Sequence, residues 1–258
     1  MNDKISLLGV PIDNITMEET ICNIEKYISE GYAKSIFIPN VDCLIKFQKD
    51  RDFKNVYRSC DLVLPDSYLF LWAGKFLRTP FKEKVAGSDL FPRFCEFAAK
   101  KGYKIFLLGA GPGVAKKAGE NLKQKNPGLE IVGTYSPSYG FETDESENQK
   151  IIKMIQLAKP DVLFVGLGAP KQEKWIYKYK EQYKVPVSIG VGASFDFIAG
   201  NVKRAPQWMS NYGFEWLWRL FQEPKRLWKR YLIDDVPFFY LILKQKIGLF
   251  RSPFEDNS

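Results

Sequence analysis

A chain of 258 residues with 45% hydrophobic and 26% charged side chains has the balance of a sequence that folds around a core. Its length suits one large α/β domain with an appendage better than two equal domains. The net charge is +8 and there is no histidine, which excludes Ser-His triads, Cys-His pairs and histidine-ligated zinc. Any general base is therefore a carboxylate or, less often, Lys, Tyr or Cys.

The first residues lack the long apolar run of a signal peptide. Strands are predicted at Ile5–Val10, Ser35–Pro39, Leu62–Leu64, Tyr103–Leu108, Glu130–Thr134, Val162–Gly166 and Val185–Val191. Several are continuous apolar runs, as expected of strands covered on both faces. Between them lie helical patterns. Thr16 and Glu19 have capping-box spacing, with Ile21, Ile24 and Ile28 following at helical intervals. From Ser88 to Lys101, Leu90, Phe91, Phe94, Phe97 and Ala98 form one stripe that Gly102 stops. Strands alternating with helices predict an α/β, Rossmann-like, mainly parallel sheet with helices on both faces. The cysteines Cys22, Cys43, Cys60 and Cys95 form no CxxC pair and are expected to be buried, reduced thiols.

The pattern changes near Ala199. No strand is predicted after Gly200, and Trp208, Trp216, Trp218 and Trp228 fall in the remainder. Seven basic residues against Glu215 and Glu223 lie between Lys203 and Arg230. Residues 1–200 are thus expected to form the α/β domain and 201–258 a helical, basic, aromatic appendage. The apolar stretch Val236–Leu243 is too short to cross a bilayer, so the tail is expected on an anionic membrane surface or packed on the domain or a sister subunit.

Ligands of open parallel sheets bind beyond the carboxyl ends of the strands. Asp66, after Leu62-Val63-Leu64-Pro65, is either a partly desolvated base or the cap of the next helix. The turn Gly109-Ala110-Gly111-Pro112-Gly113 could cradle a phosphate or be a tight turn, and Val114 breaks the dinucleotide fingerprint. Gly166-Leu167-Gly168-Ala169-Pro170-Lys171-Gln172-Glu173 offers a second polar cradle. Gly190 to Asp196 reads as close helix–sheet packing. Asn40 and Asp42 suit either a polar ligand or a helix cap. No DxD motif is present, so Arg and Lys must neutralise a departing diphosphate.

Taken in order, Pro39-Asn40, Val63-Leu64-Pro65-Asp66, Val85-Ala86-Gly87-Ser88-Asp89-Leu90, the two glycine turns, Arg204-Ala205-Pro206, Gly213-Phe214-Glu215-Trp216 and Glu223-Pro224-Lys225-Arg226 resemble the WecG/TagA/CpsF family, glycosyltransferase family 26. The resemblance implies an inverting, metal-independent transferase with no cofactor. Its donor would be a UDP-sugar, commonly UDP-N-acetylmannosamine, and its acceptor an N-acetylglucosaminyl diphosphate polyprenol. It would work on the inner face of the cell membrane in teichoic acid or capsule assembly. The resemblance further implies Asp66 as base, Asn40, Lys84 and Gln172 as pocket residues, and Arg219, Arg226 and Arg230 as appendage cations. Family members of the wall-teichoic type carry Thr where Ile38 stands and Arg where Lys84 stands, which puts the donor sugar in question. A homo-oligomer is left open. The composition also admits a nucleic-acid-binding module, and the glycine turn a nicotinamide-dependent oxidoreductase. Substrate contacts are thus expected at Asn40, Asp42, Lys84, Gly109, Gly111, Gly113, Gly168, Lys171, Gln172, Arg219, Arg226 and Arg230.

Overall fold

The structure, a computed structural model, describes residues 3–251, with the side chains of Gln207, Asn211 and Arg226 set aside. It opens on a hairpin of β1 (Lys4–Leu7) and β2 (Val10–Asp13). This corrects the single strand expected over Ile5–Val10. Leu8 and Gly9 stand at φ 51° and 78°, and two successive positive φ values reverse the chain. Leucine rarely takes that conformation, so the sequence carries no turn signal there. Distant groups hold the turn: Gln245 Oε1 accepts from Leu8 N at 2.9 Å and Gln48 Nε2 donates to Leu8 O at 3.0 Å.

The chain continues through α1 (Met17–Glu30), β3 (Lys34–Phe37), α2 (Val41–Phe47), α3 (Arg51–Arg58), β4 (Leu62–Val63), α4 (Tyr68–Leu77) and α5 (Gly87–Lys101). Next come β5 (Lys104–Gly109), α6 (Val114–Lys125), β6 (Glu130–Tyr135), a 3₁₀ turn (Phe141–Thr143) and α7 (Glu145–Ala158). Then follow β7 (Val162–Gly166), α8 (Lys171–Tyr183), β8 (Val187–Gly190) and α9 (Ser194–Ala199). The end is helical: α10 (Gln207–Asn211), α11 (Glu215–Gln222), α12 (Pro224–Lys229), a π-helical turn (Arg230–Asp234) and α13 (Pro237–Lys246). The capping box forms as expected, Thr16 Oγ1 accepting from Glu19 N while Glu19 Oε2 accepts from Thr16 N.

Six strands form a sheet in the order β4-β3-β8-β7-β5-β6, and every pairing is parallel. Side chains alternate between the faces. Phe37, Val63, Phe106, Leu163 and Val165 join the core under α2, α3, α7 and α8, while Ile36, Leu62, Ile105, Leu107 and Phe164 join that under α1, α5, α6 and α9. Burying both faces explains the unbroken apolar runs and gives the Rossmann-like α/β fold.

One expectation fails, and one of the placements expected for the tail is found for its last helix. Cys22 is exposed and Cys60 only partly buried, because α1 turns Cys22 away from its apolar stripe. The last helix is built into the core: Phe238 and Ile242 are fully buried, and Phe238 stacks on Phe70 of α4 at 6.4 Å. Among the described residues, no helix is long and apolar enough to cross a membrane.

Candidate active site

Asp66 sits two residues beyond Leu64, where β4 has ended and α4 has not begun. The cap position of α4 belongs to Ser67, whose side chain makes no capping bond, so Asp66 is not consumed as a cap. Its carboxyl is pushed up to about 7, first by burial and then by the Glu215 carboxylate, against the pull of Lys84, Arg219 and Arg230. At neutral pH such a group is divided between acid and base, the condition that general-base work requires.

Most of the charged groups that act on Asp66 arrive with the appended helices. Gly213, at φ 80°, crosses the start of α4 so closely that an added Cβ would lie 3.1 Å from Tyr68 Cβ. A side chain there would collide with α4; glycine allows the crossing and also the positive φ. The crossing delivers Glu215 and then Arg219, whose guanidinium lies 5.6 Å from the Phe197 ring centre. Arg230 Nε lies 3.9 Å from Asp42 Oδ2 and 3.8 Å from Asp235 Oδ2. The buried atoms Ser67 Oγ, Arg219 Nε, Arg230 Nε and Asp235 Oδ1 have no hydrogen-bond partner. Orphans of this kind are rare in a folded protein, and several around one carboxylate mark a place for ligand atoms. Burial lifts the Asp235 carboxyl to about 6 although Arg230 opposes it.

The residues expected on either side of α4 take structural partners. Asn40 caps α2, its Oδ1 accepting from Cys43 N at 3.1 Å. Asp42 Oδ2 accepts from Lys46 Nζ at 2.8 Å. Lys84 Nζ is 3.0 Å from Asp89 Oδ2 and lies 5.3 Å from the Tyr68 ring centre. The side chain of Arg226 lies outside the described residues.

The glycine turns form a separate half of the same sheet edge. Gly109 at φ 117° abuts Gly166, whose carbonyl oxygen would be 2.6 Å from an added Cβ. Gly113 and Gly168 take φ 76° and face open space, and Gly111 meets only Val114. No side chain caps α6 or α8, and backbone carbonyls already take one first-turn amide of each, Val114 N donating to Gly111 O at 3.0 Å and Gln172 N to Gly168 O at 3.1 Å. From β4 to β5 there are four strand spacings, roughly 19 Å.

Gln172 lies between the halves. Its Oε1 accepts from Gly192 N at 3.0 Å, its Nε2 donates to Glu173 Oε1 at 2.8 Å, and an added Cβ on Gly190 would meet Nε2 at 2.8 Å. Gln172 is itself buried, with both ends of its amide engaged. Lys171 turns toward the β6 side, paired with Glu142 and 4.5 Å from the Tyr139 ring centre. Thus the structure gathers Asp66, Lys84, Arg219 and Arg230, and it gathers Gly109, Gly111, Gly113 and Gly168 apart from them. Sequence reasoning missed the roles of Glu215 and Glu173. Each lies inside a recognised motif, but only the folded chain shows that one faces Asp66 and the other is buried. Among the described residues, no three acidic or cysteine side chains are grouped to hold a metal ion.

The family described as Glycosyl transferase WecG/TagA/CpsF matches residues 5–252. An N-acetylglucosaminyldiphosphoundecaprenol N-acetyl-beta-D-mannosaminyltransferase of Bacillus subtilis (strain 168) is 34% identical over 255 residues, 97% of this chain and 96% of its own length. Relatives of the same description from Bacillus spizizenii and Staphylococcus aureus (strain MW2) are 32% and 29% identical. The first alignment covers 80% of this chain and 77% of the relative, the second 94% and 93%.

Proposed function

Since the chain belongs to the WecG/TagA/CpsF family of glycosyltransferases, we propose that it moves N-acetylmannosamine or a related hexose from a UDP-sugar to an N-acetylglucosaminyl diphosphate polyprenol. Family membership sets aside the nucleic-acid and nicotinamide readings. The acceptor class rests on the activity for which the relatives are named. One observation carries the chemistry: an uncapped aspartate at about 7, ringed by Lys84, Arg219 and Arg230.

In the proposed reaction, Asp66 takes the proton of the acceptor hydroxyl while that oxygen attacks the anomeric carbon. The bond from that carbon to the UDP oxygen breaks on the opposite face, so configuration inverts. UDP leaves with its charge met by Arg219, Arg230 and Lys84, which is charge stabilisation without a metal. The glycine half suits the nucleoside end of the donor, since open glycines allow backbone approach.

The proposed acceptor's lipid tail calls for membrane contact, which the proposal puts on the inner leaflet. It is supported by an exposed aromatic ledge. Trp72 and Phe76 of α4 stack at 5.5 Å, Phe239 of α13 adds an edge contact to Trp72 at 5.9 Å, and Tyr240 and Leu243 continue the surface. Lys244 and Lys246 lie over Tyr240 and Phe76, placing positive charge at the ledge.

The test is Asp66→Asn in a UDP-release assay with a short-chain lipid diphosphate acceptor. Turnover should fall about 10²–10⁴-fold, the range for loss of a general base, with UDP binding nearly unchanged and wild-type activity unaffected by EDTA. Near-normal turnover in the variant would sink the assignment of Asp66.

A further inference from the structure

Resting on that reading of Asp66, we infer that Asp89 is a positioning residue that ties the appended helices to the site, one carboxylate oxygen holding Arg204 and the other holding Lys84. The geometry is closed. Arg204 Nη2 donates to Asp89 Oδ1 at 2.5 Å and to Ser88 Oγ at 3.3 Å, and Nη1 reaches Ser88 O at 3.5 Å. Lys84 Nζ is 3.0 Å from Asp89 Oδ2 and lies over Tyr68, against which Gly213 packs. The segment from Arg204 to Gly213 is therefore pinned at both ends to the residues that flank Asp66.

This arrangement gives Asp89 two separable tasks. The first is mechanical. Arg204 opens the segment that carries Glu215 and Arg219 to the site, and its guanidinium is held by hydrogen bonds to Ser88 and Asp89. The second is electrostatic. Burial works against the charges on both Asp89 and Lys84; Lys84 together with Arg204 outweighs it and holds the Asp89 carboxyl low, and Asp89 holds the Lys84 ammonium high. Lys84 is thus kept fully charged but partly neutralised, in position between Asp89 and Asp66. Without Asp89, the whole Lys84 charge would fall on Asp66 and weaken it as a base. The other groups acting on Asp66 are Glu215, Arg219 and Arg230, and Glu83, Arg93 and Glu96 line the groove beside Asp89.

The two tasks predict opposite behaviour in two variants. Asp89→Asn keeps the shape and removes the negative charge, so the acid limb of kcat/KM, expected to follow Asp66 in the wild type, should move down by about half to one pH unit. Arg204→Ala should not move that limb down, but trypsin should cleave at Lys203 at least about tenfold faster as the pinned segment opens. In a Lys84→Met background, Asp89→Asn should lose most of its effect on the limb, since it acts through Lys84.

An Asp89→Asn enzyme that loses turnover with its limb unmoved has lost only a structural contact, and the electrostatic role is then overturned. Unchanged cleavage in Arg204→Ala overturns the docking role, and this arm needs neither turnover nor a folded Asp89 variant. Failure of Asp66 as base shows separately, as an Asp66→Asn enzyme that still turns over.

Discussion

The sheet core and the segment from α10 to the π-helical turn put their side chains to opposite uses. In the core, aromatic and aliphatic residues of both faces are buried to the last few per cent, and the distant ends of the chain are joined by Gln245 and Gln48 at the Leu8 turn. Among the described side chains, α11 and the π-helical turn bury none at all, and α12 buries Leu227. Yet Arg219 and Arg230 each leave a buried Nε without a partner. A segment that contributes little apolar burial and leaves buried guanidinium nitrogens without hydrogen bonds is held for chemistry rather than for stability. The division does not follow chain order, since α13 returns to the core after the functional segment ends.

The strongest way to break this comparison is Phe238→Ala. If α13 belongs to the core, the loss of a fully buried ring should cost about 3–5 kcal/mol, seen in denaturant unfolding. A cost below 1 kcal/mol would return α13 to the appendage. For the same reason, cutting the chain at residue 200 would strip Phe238 and Ile242 from the core, so shorter excisions are the cleaner test of the appendage.

Next in size is Arg219→Ala. Turnover should fall about 10²–10³-fold, as when one charge-stabilising donor is removed from an active site. Stability should stay within about 1 kcal/mol, because deleting an orphaned buried donor also deletes its desolvation cost. Equal losses of turnover and stability would make Arg219 an ordinary packing residue.

A buried carboxylate sharpens the comparison from the core side. Glu173 is fully buried, its Oε2 has no partner, and burial pushes its carboxyl up to about 7 from an ordinary 4.5. The folded state therefore binds more protons than the unfolded chain between those values, and this group's contribution makes stability fall as pH rises through the window. Glu173→Gln should be more stable than the wild type by on the order of 1–3 kcal/mol above pH 7, with the advantage gone near pH 4. A pH-independent difference would show that Glu173 is already neutralised in some other way.

The fold was largely legible because apolar runs, glycine stops and the capping box each act locally. The helix over Gly87–Lys101 ended at Gly102 because glycine takes the left-handed cap without strain. The β1–β2 turn was not legible, since two side chains more than 30 positions away hold Leu8 in a conformation leucine does not choose. In the site, Asp66 could be placed after a strand but not freed from a capping role until Ser67 was seen at the cap position. Lys171 looked equivalent to Gln172 in the motif, yet adjacent helical residues point about 100° apart, and it pairs with Glu142 instead. Asp89 could not be read at all, because its meaning depends on Arg204, a partner 115 positions later.

The smallest stability effect belongs to the aromatic ledge, and it separates burial from function most directly. Trp72 is 46% exposed and Phe76 38%, and Phe221 of α11, outside the ledge, is 74%, so replacing any of them with serine should change stability by no more than about 0.5 kcal/mol. In water these rings gain little from folding, and Trp72 and Phe76 recover part of their area by stacking on each other. Against an anionic bilayer the balance reverses. Aromatic rings favour the headgroup level, and each basic residue beside them adds about 1 kcal/mol. Trp72→Ser/Phe76→Ser should therefore reduce flotation with anionic liposomes at low salt by roughly tenfold, the equivalent of about 1.4 kcal/mol. UDP binding should be unchanged, since the ledge lies on the exposed face of α4 rather than at Asp66. Because α4 belongs to the core domain, a loss of flotation here would show that the membrane face extends beyond the appended helices. Flotation equal to wild type, with Phe221→Ser alone defective, would confine that face to the appendage.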